Sequence, residues 1–128
     1  MDSDRGAPFE ADEGCCRLAT YDESVLLGLL DGDAQLAAEV LSDFAAALQR
    51  GSDQIEAAFR DGRAQDLVLV AHRLKSTART VGALQLGELC ERLEAQASRG
   101  PVESLHRTML AVRVEISAVS KRLDTTGT

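Results

Sequence analysis

PVESLHRTMLAVRVEISAVSKRL, residues 101–123, carries its apolar side chains at Val102, Leu105, Met109, Val112, Ile116, Val119 and Leu123. These positions are separated by steps of 3, 4, 3, 4, 3 and 4 residues, which brings each of them back to one face of an α-helix and makes an unbroken bundle seam. Gly100 and Pro101 stand ahead of the seam, with the proline well placed for a first helical turn. A seam of this length needs helices to pack against, and the chain upstream supplies them.

Residues 84–98 align Leu86, Leu89, Cys90, Leu93 and Ala97 on one side. Residues 64–81 gather Leu67, Val70, Ala71, Leu74, Ala78 and Val81 on one face, and Gly82 breaks that helix. Between residues 33 and 50, Leu36, Val40, Phe44 and Leu48 recur every four residues beside Ala37 and Leu41. Asp33 is the expected N-cap of this helix and Gly51 its expected end. Two shorter helices complete the pattern. One follows the cap residue Asp22 and holds Val25, Leu26, Leu29 and Leu30; the other follows Ser52, holds Ile55, Ala58 and Phe59, and closes at Asp61 and Gly62. No segment alternates apolar and polar residues with β-branched enrichment, so no sheet is expected. The sequence therefore predicts an all-α fold, an up-and-down antiparallel four-helix bundle with two short accessory helices. Its organisation reads as a flexible tail over residues 1–20, a bundle domain over 21–124 and a frayed end over 125–128.

Composition agrees with this architecture. At 128 residues there is room for one domain, and 45% apolar residues with only 3% aromatics and no Trp call for a core of Leu, Val and Ala. The net charge of −7 and pI near 4.8 speak against a nucleic-acid or anionic-membrane surface. No apolar run approaches the roughly 20 residues of a membrane helix, and the start MDSDRGAPFEADEG lacks the regions of a signal peptide. A soluble, cytoplasmic, monomeric chain is expected. Cys15, Cys16 and Cys90 are an odd number that suits a reducing compartment. With only His72 and His106 as histidines and no CxxC spacing, no metal site is expected.

HRLKSTARTVGA, residues 72–83, holds the chemistry. On the helical wheel His72 points about 140° away from Leu67, toward solvent. Lys75 and Ser76 share its side one turn on, Arg79 lies two turns on, and Gln65 lies two turns before. Val68 and Leu69 also project away from the core face, within about a turn of the imidazole. An imidazole is both largely neutral near pH 7 and nucleophilic, because its unperturbed pKa is about 6.5. A helical histidine taken alone is more often an ordinary surface residue, and His106, without such neighbours, reads as one.

The ordered set His72, Lys75, Ser76 and Gly82 resembles the histidine-containing phosphotransfer family, the HPt domains of multistep phosphorelays. Members carry an exposed helical histidine, a lysine three residues later, a small residue four later and a glycine near the helix end. The similarity extends to LGELCERLE, residues 86–94, as the family's following helix, and to residues 32–44 as the preceding one. Ser76 departs from the commoner glycine but remains small. The resemblance implies that His72 holds a phosphoryl group between aspartyl phosphates of response-regulator receiver domains, with a hybrid sensor histidine kinase as a further partner.

On that reading Lys75, Ser76 and Arg79 assist His72, while Gln65, Val68, Leu69, Arg73 and Gly82 border the docking surface. No cofactor is implied, since the metal belongs to the receiver. Glu94 falls where some members place a polar residue near the imidazole, and an acceptor there would hold the non-attacking N–H. A carboxylate would also repel phosphate, which ranks Glu94 below the others. An autophosphorylating kinase is disfavoured: the chain has no glycine-rich nucleotide lobe, and Arg73 stands where kinase dimerisation helices usually have an acidic base. The alternative is a helical interaction module that regulates a partner by docking, with His72 unphosphorylated.

Overall fold

The computed structural model describes residues 18–127, apart from the side chains of residues 103 and 125–127. Cys15, Cys16 and most of the expected tail lie outside the described residues. The elements in order are α1 (Glu23–Leu29), α2 (Ala34–Arg60), α3 (Ala64–Val81), α4 (Leu84–Arg99), a 3₁₀ turn (Val102–Leu105) and α5 (His106–Gly127). Among the described residues there is no strand.

Local chemistry accounts for the starts and stops. The Asp22 carboxylate accepts from the Ser24 N–H at 3.1 Å and caps α1, and the Asp33 carboxylate accepts from the Leu36 N–H at 3.0 Å and caps α2. Gly62 turns the chain out of α2 at φ 70°, and Gly82 ends α3 at φ 100°, a left-handed conformation that suits glycine. The last helix begins with a 3₁₀ turn after Pro101 and becomes α-helical at His106. It runs past the expected end at Leu123 to Gly127.

One boundary differs from expectation. Gly51 does not end a helix: α2 continues through it to Arg60 and absorbs the segment expected as a separate accessory helix. The reason is tertiary. Gly51 is buried, and a Cβ there would stand 2.8 Å from Leu74 Cδ1, so the missing side chain is a seat for α3 rather than a stop signal.

Around the core, α2 packs on α3 and α5, and α4 packs on α3 and α5, which closes a ring of four helices. The expected inward residues of α3 and α4, and those of the last helix from Leu105 onward, are buried, with Leu67, Leu86, Leu93, Leu105 and Val112 fully so, as is Leu48 on α2. Leu36 and Leu29, expected on inward faces, are exposed. Cys90 lies in the core, where burial pushes its thiol up to about 12. No described helix is long and apolar enough to cross a membrane.

The corner between α3 and α4 is tied down by the chain ahead of α1. The Asp22 N–H donates to the Gly82 carbonyl at 2.8 Å, and the Gln85 N–H donates to the Ala19 carbonyl at 2.9 Å. This strap pins the chain ahead of α1 to the turn where α3 passes into α4.

Candidate functional site

The pair α3 and α4 shares the most extensive contact of any two helices. Their polar pairs run in opposite order along the two chains: His72 and Lys75 meet Glu94, while Arg79 meets Glu91 and Glu88. Rising numbers on α3 match falling numbers on α4, so the helices are antiparallel.

His72 projects from the middle of α3 with its side chain 59% exposed. Its Nδ1 lies 3.0 Å from Glu94 Oε2, and the Lys75 ammonium donates to Glu94 Oε1 at 2.8 Å. One carboxylate therefore holds both the ring and the lysine. The hydrogen bond from Lys75 is the main cause that lowers the Glu94 carboxyl below its ordinary range; burial opposes it, and the hydrogen bond to His72 adds to the lowering. Glu94 is thus ionised at neutral pH and only accepts. The proton of the neutral imidazole must then sit on Nδ1, which leaves the lone pair on Nε2.

The other expected residues separate into two groups. Ser76 is exposed and small beside the ring. Gln65, Leu69 and Arg73 are also exposed, and Leu69 and Arg73 line an open groove between α3 and the end of α2, shared with Gln54, Ala57 and Asp66. Val68, expected to project away from the core, is instead partly buried against it. Gly82 is buried, and an added Cβ would run into the Asp22 carbonyl, so it shapes the corner rather than a docking surface. Arg79, expected to assist His72, is bound to Glu91 at 2.5 Å and lies over Gly87, where a Cβ would stand 2.8 Å from Arg79 Cγ.

Glu94, ranked from the sequence below the other residues, is the one that holds the ring. Its spacing of 22 residues from His72 was visible, but the register that brings it to the ring depends on how α4 seats on α3. His106, expected to be an ordinary surface residue, is exposed and lies 6.1 Å from the Phe59 ring, centroid to centroid. A larger groove, of about 430 Å³, lies between α1, α2 and the end of α5, lined by Tyr21, Leu26, Leu41 and Leu123, and it shares no residue with the surroundings of His72. Among the described residues no three His, Cys, Asp or Glu side chains cluster as a metal site would need.

The model of the Hpt domain family matches residues 39–122, a span that contains His72, Lys75 and Glu94. The chain belongs to the Hpt domain family. The fold is also that of solved Hpt structures. Histidine-containing phosphotransfer protein B (HptB) of Pseudomonas aeruginosa PAO1 superposes with a TM-score of 0.78 at 24% identity, covering 84% of this chain and 94% of that one. The HPT domain of a sensor hybrid histidine kinase from Shewanella gives 0.73 at 20% identity, covering 84% and 92%. No curated protein matches the sequence. Membership of the Hpt family supports a phosphotransfer role in a phosphorelay, as a carrier module rather than a kinase.

Proposed function

We propose that His72 accepts a phosphoryl group from the aspartyl phosphate of a receiver domain and passes it to, or drains it from, a response-regulator receiver. The observation that carries this reading is the exposed imidazole whose Nδ1 is held by an ionised carboxylate, which leaves Nε2 as the nucleophile. In the accepting step the Nε2 lone pair forms a bond to phosphorus. The bond from phosphorus to the aspartyl oxygen breaks, and its electron pair leaves on the receiver's carboxylate. The Nδ1 proton stays in place, and Glu94 balances the positive charge that the ring acquires. The return step reverses each of these changes.

Such a transfer relies on alignment and on neutralising the equatorial oxygens more than on covalent help. Lys75 stands one turn from His72 and supplies a cation, while Ser76 leaves room for the incoming aspartyl phosphate. Leu69, Arg73 and Gln65, exposed on the same helix, form the docking face for the receiver, whose own metal completes the transfer site. The chain works as a monomeric carrier without a cofactor, in the cytoplasm, downstream of a hybrid sensor kinase.

The test is transfer of acid-labile phosphate. The chain is mixed with phosphorylated receiver domains and followed by intact mass, with His72→Gln as the control. Label that appears on the wild-type chain and is lost in the variant is the expected result. Receivers that bind but transfer to neither chain would sink the carrier reading and leave a docking module in its place.

A further inference from the structure

Glu94 is shared between two groups that the transfer reaction needs. Its Oε2 holds His72 Nδ1 at 3.0 Å, and its Oε1 holds the Lys75 ammonium at 2.8 Å. Lys75 is only 19% exposed, so before phosphorylation its charge is committed to α4. Arg79 offers no ready substitute, because it is engaged by Glu91 two turns along. A phosphoryl group arriving on Nε2 therefore meets a lysine that another anion already occupies.

We propose that Glu94 sets how tightly His72 keeps its phosphoryl group, by competing with that group for Lys75. The inference rests on the assignment of His72 as the phosphoryl acceptor. When the bond between phosphorus and Nε2 forms, Lys75 exchanges Glu94 Oε1 for a phosphoryl oxygen. Oε2 keeps the Nδ1 hydrogen bond, but Oε1 is left without its cation beside a newly arrived anion. That cost falls on the phosphorylated state alone, and the inference is that it outweighs the balance that Oε2 gives to the charged ring. When the phosphoryl group departs, the electron pair of the broken bond returns to Nε2, the Nδ1 proton stays in place, and Lys75 goes back to Glu94. The carboxylate thus orients the ring for attack and weakens the product, as a carrier that must release its cargo requires. Glu94 is a positioning residue here, since it acts through His72 and Lys75.

Glu94→Gln separates the two roles. The amide oxygen still accepts from Nδ1–H in the same place, but its neutral group no longer competes for the lysine charge. The measurement is the equilibrium division of labelled phosphoryl between the full chain and a phosphorylated receiver that labels it. Glu94→Gln is expected to move this division toward histidine by about tenfold, the scale of one unit charge across a few ångströms of partly solvated protein. The half-life of the phosphorylated chain, once desalted away from the receiver, is expected to lengthen. In a Lys75→Met background the shift caused by Glu94→Gln is expected to shrink, because the contested cation is gone.

Each failure has its own signature. If label reaches His72 in every variant but the division does not move, or moves toward the receiver, the competition is refuted and the carrier reading stands. A shift that persists undiminished in the Lys75→Met background also refutes it, since Glu94 would then act without the lysine. If no receiver labels the wild-type chain, the carrier reading falls and this inference with it.

Discussion

Lys75 and Arg79 lie one turn apart on α3, and what α4 sets opposite each decides their roles. Lys75 shares its carboxylate with His72, so any change at the ring reaches it. Arg79 faces Glu91, whose carboxyl it draws below the ordinary range by hydrogen bond and charge, and this exposed pair is separate from the ring. Lys75→Ala is therefore expected to slow transfer to His72 by at least about tenfold, as the loss of a charge-stabilising donor does. Arg79→Ala should leave the rate near that of the wild type and change stability little, since exposed ion pairs contribute little. Rapid-quench phosphotransfer on both variants checks this, and a large rate loss in Arg79→Ala alone would place the guanidinium at the phosphate after all. The exposure of His72 was legible from its wheel position, because burial follows periodicity within one helix. The partners of Lys75 and Arg79 were not, because they depend on the register between two helices, which packing determines.

At the scale of the helix, the inward faces of α3, α4 and α5 were legible for the same reason that His72 was. The Asp22 and Asp33 caps were equally readable, since a cap is a contact between residues two or three apart. Gly51 misled because glycine carries two opposite meanings: it ends helices, and it also admits a close neighbour. Only the position of Leu74 across the core tells them apart. The two glycines should respond differently to alanine. Gly82→Ala places a side chain in a left-handed backbone and against the Asp22 carbonyl, for an expected loss of about 1–3 kcal/mol from backbone strain, with the clash in addition. At Gly51, alanine gains about 1 kcal/mol of helix propensity but crowds Leu74, where overpacking costs about 1–3 kcal/mol, so the net loss should be the smaller. Urea unfolding of the two variants measures the order. A more damaging Gly51→Ala would mean that Leu74 cannot yield and that the corner at Gly82 can.

Across the whole molecule, two carboxylates on different helices pull stability in opposite directions with pH. Glu94 is lowered in the folded chain, so its contribution is present above its unfolded value and is lost as the pH falls through the lowered one. Glu115 on α5 is raised, chiefly by burial and against the hydrogen bond from Thr20, and its Oε2 is buried without a hydrogen-bond partner. The folded chain thus binds the Glu115 proton more tightly than the unfolded chain does. Above the raised value both forms are ionised, and the folded state bears the full penalty of holding that charge. As the pH falls through the raised value the penalty is relieved. Glu115→Gln removes the charge while keeping the shape, so it should stabilise the protein near neutral pH, with a gain that fades as the pH enters the carboxylate range. Glu94→Gln should show the opposite trend, with a loss near neutral pH that fades on acidification. Thermal unfolding of both variants across this interval reads the two slopes. If Glu115→Gln instead lowers the midpoint near neutral pH, the hydrogen bond from Thr20 to an ionised carboxylate outweighs its burial, and the strap ahead of α1 depends on that charge.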